Sequence, residues 1–169
     1  NVAEVSVKTF KPEIIDDMKK ENHLSSKYVR LIASAKIMFE GEERNIAGMA
    51  SFMNSDNREM RKRAYDAKWK FFEDNEKEID DIFDELVKVR TKIAHALGYE
   101  NFIQLGYDRL KRTGYSSTEV AGFRDEILKF LVPLTTELKE LQLQRTGLDK
   151  LYYYDSEYNF KNGNPTPKG

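Results

Sequence analysis

The residue types able to assemble a hydrolytic metal centre are few in this chain. A catalytic zinc ion needs three protein ligands, usually histidines with one carboxylate, at a spacing that aims them at one point. Only His23 and His95 are present. They lie on different segments, neither has a second histidine four positions on, and the H-E-x-x-H pattern does not occur. They read as surface or helix-end histidines, with His95 favoured by the negative end of a helix dipole. Carboxylates are abundant: Glu73, Asp74, Glu76, Glu78, Asp80, Asp81, Asp84 and Glu85 crowd one stretch. A calcium loop needs alternating oxygen ligands and a glycine turn, which this stretch lacks, so it reads as a solvated helix face. Arg58, Arg61, Lys62, Arg63, Lys68 and Lys70, interleaved with Tyr65 and Trp69, form a basic and aromatic cluster. The acidic run that follows points to a face laced with salt bridges rather than a nucleic-acid surface. Trp69, Phe71 and Phe72 are expected in the core. No phosphate-binding loop, dinucleotide fingerprint or nucleophile elbow occurs. No catalytic, cofactor-binding or metal residue is therefore assigned in this chain.

The composition is equally neutral. The 169 residues carry 28 Lys and Arg against 29 Asp and Glu, a formal charge of -1, which concentrates neither nucleic acid nor an anionic membrane. Absence of cysteine removes disulfides and thiol chemistry and fits a reducing, cytoplasmic location. No apolar run is long enough to span a membrane, and the first ten residues lack a signal pattern, so a soluble protein is expected.

The elements expected to carry these residues are helices, giving an all-α fold. Apolar residues recur every three or four positions between sparse Pro and Gly. Pro12 suits the start of a helix to about Glu21. Ser25 or Ser26 then caps a second that turns Tyr28, Leu31, Ile32, Ala35 and Phe39 inward before Gly41, making a helical hairpin. A short helix is expected from Arg44 to Met53, and Ser55 or Asp56 should cap the longest periodic segment, from about Asn57 to Leu97. As one helix it would span roughly 60 Å; a break near Asp74-Asn75 is the alternative. Its inward stripe includes Met60, Ala64, Phe71, Ile82, Phe83 and Ile93, and Gly98 ends it.

Asn101 to Leu110 reads as a short helix. Ser116 and Glu119 form a capping box that opens another, with Phe123, Phe130, Leu131, Leu134, Leu138 and Leu141 inward, a kink near Lys129 imposed by Pro133, and Gly147 as its stop. Residues 1–150 thus form one helical domain. Residues 151–169, opening with Leu151-Tyr152-Tyr153-Tyr154-Asp155, form an extended aromatic tail that should lie against another part of a larger protein.

Several of these segments, in order, resemble the region preceding the catalytic core in oligoendopeptidase F and thimet oligopeptidase-like metallopeptidases, the Pz-peptidase subgroup in particular. Leu24-Ser25-Ser26-Lys27-Tyr28 with Ile37-Met38-Phe39-Glu40-Gly41 resembles the family's helical hairpin, and the run from Ser55 to Ala64 resembles its S-D-x-R-x-x-R-x-x-A helix entry. Leu86 to Phe102 is similar to the pattern L-V-x-x-R-x-x-x-A-x-x-L-G-[YF]-x-N-[YF]. Gly106 to Arg112, Phe123-Arg124, Val132-Pro133-Leu134, Tyr154-Asp155 and Gly163 to Gly169 follow in the family's order.

The resemblance implies a zinc-dependent parent enzyme that hydrolyses internal bonds of short peptides, its metal held by an H-E-x-x-H helix and a later glutamate. None of those positions lies here, so the zinc belongs to the parent and none is expected on this fragment, which should be inactive alone and form one wall of the substrate cleft. The implied partners are short peptides, the missing catalytic region, and copies of the fragment through self-association, with no nucleic acid and no membrane. The alternative is a free-standing helical protein-interaction module without catalysis.

Overall fold

The structure, a computed structural model, describes residues 2–165. The chain is predominantly α-helical: α1 is Val2–Lys8 and α2 Ile15–Ala33, followed by strands β1 (Ile37–Phe39) and β2 (Glu42–Arg44). Helices α3 (Ala50–Met53), α4 (Arg58–Asp74), α5 (Glu76–Ala96), α6 (Phe102–Arg109), α7 (Ser117–Glu126) and α8 (Val132–Thr146) complete the order. Among the described residues no helix is long and apolar enough to cross a membrane.

The first expected hairpin is replaced by two different elements. Ser25 and Ser26 sit inside α2, which runs on for 19 residues. Serine costs only about half a kcal/mol in a helix interior, and no Gly or Pro interrupts the segment, so packing of Met18 and Leu24 decides. The second half, Ile37 to Arg44, is an antiparallel β-hairpin with Ile37 opposite Arg44 and Phe39 opposite Glu42. Glu40 and Gly41 both have positive φ, 51° and 79°, the backbone of a tight two-residue turn. Ile37 and Phe39 are buried and Met38 exposed, the period of a strand. The spacing of Ala35 and Phe39 also fits a helix, which is why so short a run misleads.

The long periodic segment divides at Asn75. Its backbone leaves the helical region, and its Nδ2 donates to the carbonyl of Phe71 at 2.7 Å. Helices of 17 and 21 residues result, about 26 and 32 Å long, in place of one near 60 Å. Asn57 caps α4, its side chain accepting from the Met60 amide at 3.0 Å, in place of Ser55 or Asp56. Gly98, at φ 87°, ends α5 with the amides of Tyr99 and Gly98 returning to the carbonyls of Ala94 and His95. Asn101 caps α6, and the Ser116–Glu119 capping box opens α7. Ahead of Pro133 the backbone widens to a π-helical stretch, Ile127–Leu131, which accommodates the missing amide where a kink was expected. Gly147, at φ 70°, closes α8.

Two compact units are present. One gathers the chain up to Arg30 with Lys77–Ile127, around Ile14, Val89, Ile93, Ala94, Leu97, Tyr99 and Leu105. The other gathers Leu31–Glu76 with the chain from Leu128 on, around Ile37, Phe39, Met49 and Ala64. Several residues expected inside are not: Trp69 is 49% exposed and Phe83 67%, and Phe123, Phe130, Leu131, Leu134, Leu138 and Leu141 are all exposed.

Candidate functional site

The most completely buried polar cluster lies at the start of α4, in the second unit. Arg58 and Arg61 stand one turn apart and so share a face. Both reach Asp155, which is fully buried. Arg61 Nη2 donates to Oδ1 at 2.8 Å and Arg58 Nη2 to Oδ2 at 2.8 Å. Arg61, only 1% exposed, also donates to the carbonyls of Ser55 and Asp56 and lies 3.9 Å over the Tyr158 ring. On the other side Gln142 of α8 donates to the carbonyls of Asp155, Ser156 and Tyr158. Asp155 itself accepts from the amide of Tyr152, closing the 3-10 turn Tyr153–Asp155. Tyr153 adds a hydrogen bond to Asp66. The aromatic tail, expected as an extended or loop segment, is irregular apart from that turn and is bonded to α4 and α8 as far as Tyr158.

Burial alone would raise the Asp155 pKa, but the two arginine hydrogen bonds outweigh it and hold the carboxyl below its ordinary range. A carboxylate so paired stays ionised at neutral pH and has no proton to exchange with a substrate. The cluster fastens the tail.

The first unit has a similar device. Glu21 of α2 accepts from Arg90 of α5 and from Arg109 of α6, both at 2.8 Å. Desolvation pushes the Glu21 pKa up, and the two guanidiniums bring it below normal. Nearby, Asp108 accepts from Tyr99 at 2.6 Å, Gln104 at 3.0 Å and Lys8 at 3.1 Å. Burial raises the Tyr99 hydroxyl pKa and its bond to Asp108 raises it further.

Of the residues singled out from sequence, Arg58 and Arg61 meet at Asp155; the histidines and the acidic stretch do not converge. His23 and His95 are both exposed, and His95 Nε2 lies 3.0 Å from the Glu100 carbonyl. The acidic stretch runs from the end of α4 along α5, where several members have lysine partners: Asp81 with Lys77, Asp84 with Lys88, Glu85 with Lys20 and Lys88, and Glu78 with Lys27. The basic cluster is neutralised locally, Arg63 by Glu40, Lys62 by Asp66 and Lys70 by Asp74. Among the described residues no group of three or more metal-ligating side chains comes together. An open groove of about 470 Å³ runs between β1 and the end of α4, lined in part by Leu31, Ile37, Met38, Lys70, Phe71 and Asp74. Its apolar and paired polar lining offers contact rather than catalysis. Asp155, Gln142, Glu21 and Asp108 went unassigned from sequence. Of these, Asp155 and Asp108 carried a signal, as parts of the Tyr154-Asp155 and Gly106 to Arg112 segments.

The profile of Peptidase family M3 matches residues 51–164, well over half of the chain. Comparison with curated proteins finds no match. Among solved structures the fold is similar to a protein described as an oligoendopeptidase F from Bacillus anthracis str. Ames, with 50% identity and a TM-score of 0.94. It is also similar to a second protein described as oligoendopeptidase F, at 54% identity and TM-score 0.97, and to a PZ peptidase A studied with an inhibitor, at 50% and 0.97. Each likeness covers 99% of this chain but only 30 or 31% of the other, so the chain spans about a third of the length of the solved proteins it matches. Because the family profile matches well over half of its residues, the chain belongs to peptidase family M3.

Proposed function

We propose that this chain is the helical, non-catalytic part of a zinc-dependent oligoendopeptidase that cleaves internal bonds of short peptides in the cytoplasm. The observation that carries the reading is the 50–54% identity, over 99% of the chain, to peptidases more than three times as long. The residues described here do not fit a zinc ion: the two histidines are exposed on separate helices and the carboxylates are paired with lysines. The metal and the groups that activate water would therefore belong to residues beyond those of this sequence.

The contribution of these helices would be to form a rigid wall of the substrate cleft that admits short unfolded peptides and excludes folded proteins. The buried Arg58–Arg61–Asp155 cluster supports such rigidity, because it ties the tail to α4.

The test is a chimera in which this sequence replaces the matching segment of the PZ peptidase A. It should hydrolyse a quenched fluorescent peptide in a chelator-sensitive way, while the purified 169-residue chain should not. Chelator-sensitive hydrolysis by the chain alone would overturn the assignment of chemistry elsewhere. Charge-changing substitutions on the exposed faces of α4 and α5 within the chimera read the wall: unchanged discrimination between short peptides and folded proteins would remove that role.

A further inference from the structure

An asparagine side chain can be consumed by its own backbone: the amide nitrogen of the next residue attacks the side-chain carbonyl carbon, and a cyclic imide forms. The reaction needs a free side chain, and a following residue that neither crowds the ring nor has its nitrogen locked in a helix. Most described asparagines are held. Asn45, Asn57 and Asn101 accept from the amides of Gly48, Met60 and Ile103. Asn54 and Asn75 donate to the carbonyls of Ala50 and Phe71. Asn159 and Asn164 both donate to the carbonyl of Glu157, and Asn164 precedes Pro165, which has no N–H to give up. Asn22 lies inside α2, where the next amide is bonded within the helix. Asn162 differs from all of these. It is exposed, its side chain makes no hydrogen bond among the described residues, and it is followed by Gly163.

We propose that Asn162 is a self-modification site, at which the chain converts its own asparagine to aspartate or isoaspartate. The Gly163 nitrogen forms a bond to Asn162 Cγ as it gives up its proton, and the side-chain nitrogen leaves with that proton as ammonia. Water then opens the imide: attack at one carbonyl yields aspartate, and attack at the other yields isoaspartate, whose main chain runs through the former side chain. Water is consumed and ammonia released, and no oxidant or cofactor takes part. Gly163 has no side chain to obstruct the ring. Its amide donates to the carbonyl of Phe160 at 3.1 Å, so this turn must open before the nitrogen can attack. Gly163, at φ 87°, also packs so closely on the Asp56 carboxylate that an added Cβ would collide with it. A lengthened main chain has no room there, and the new carboxylate adds a negative charge one residue from that contact. The amide of Asn159 donates to Asn164 Oδ1 across the same loop, at 2.8 Å. The isoaspartate product therefore loosens residues 159–164, while Asp155 and its arginines lie outside the altered segment.

The experiment ages the purified 169-residue chain at neutral pH and physiological temperature, beside the same chain unfolded in urea, and follows both by peptide mapping with mass spectrometry and isoaspartate labelling. The expected result is one dominant acidic product, mapped to Asn162 and absent from Asn162→Gln. It should form in the folded chain no more than about tenfold more slowly than in urea, the retardation that a single turn hydrogen bond can impose. Slower conversion overturns the proposal, because the fold would then protect the site. A dominant product at another asparagine overturns it as well. The consequence is read by amide exchange in the aged chain, which should accelerate over residues 159–164 and not at the start of α4. Asn162→Asp, which adds the charge without lengthening the main chain, should accelerate exchange less. Unchanged exchange over residues 159–164 in the isoaspartate form would overturn the loosening of the loop.

Discussion

Asp155 is the residue on which the second unit most depends. It is fully buried, and the charge it neutralises on Arg61 is buried with it. Removing one partner of such a pair leaves the other charge uncompensated, at a cost of about 3–5 kcal/mol. Asp155→Asn keeps the shape and removes the charge, so its urea midpoint should fall accordingly; a loss under about 1 kcal/mol would mean that the arginines are stabilised by other contacts. The pH dependence has a definite sign. The carboxyl pKa is depressed by folding, so its contribution is complete above the unfolded value, near 4, and is lost as pH falls toward the folded value. Between neutral pH and about 3 the parent chain should lose stability more steeply than the Asn variant. Exposed pairs such as Lys77 with Asp81 are the control: Asp81→Asn should not change the midpoint measurably.

At the level of elements, three helix ends were written plainly, while the starts of α2 and α4 and the short elements were not. Gly98, Gly147 and the Ser116–Glu119 box each act where their chemistry predicts, because a cap is decided by one or two residues and the backbone angles they allow. Gly98→Ala should cost about 1 kcal/mol, the price of placing a Cβ at positive φ. No atom lies within 4 Å of that Cβ, so the loss would be purely of the backbone. Gly98→Asn should lose less, and equal losses would point to a packing cause instead. The β-hairpin was hidden because three residues cannot separate a period of 2 from one of 3.6. The break at Asn75 was readable only as an alternative, since the apolar stripe continues across it. The exposed leucines of α8 show a different limit. Periodicity reveals which residues recur at a helical spacing but not whether the fold buries them. The polar clasps escaped for the same reason: Glu21 lies about seventy residues from Arg90, and Asp155 more than ninety from Arg61, and composition carries no trace of such pairings.

For the whole molecule, the two units have separate cores, and each has one carboxylate held by two arginines. This duplication gives a prediction that neither clasp gives alone. In Glu21→Gln the guanidiniums of Arg90 and Arg109 lose their shared charge, and amide exchange should accelerate in the segments up to Arg30 and over Lys77–Ile127. Asp155→Asn should accelerate exchange over Leu31–Glu76 and from Leu128 on. The reporters are distinct peptides: α5 and α6 for the first variant, the β-hairpin and α4 for the second. Both carboxyl pKa values are lowered by folding, so acidification below about 4 should reproduce the two variant patterns together in the parent chain. Local opening of this kind is expected where a unit holds its own core and its own polar tie. If either substitution instead speeds exchange uniformly across all described segments, the chain opens as one cooperative body, and the two clasps stabilise a single folding unit rather than one each.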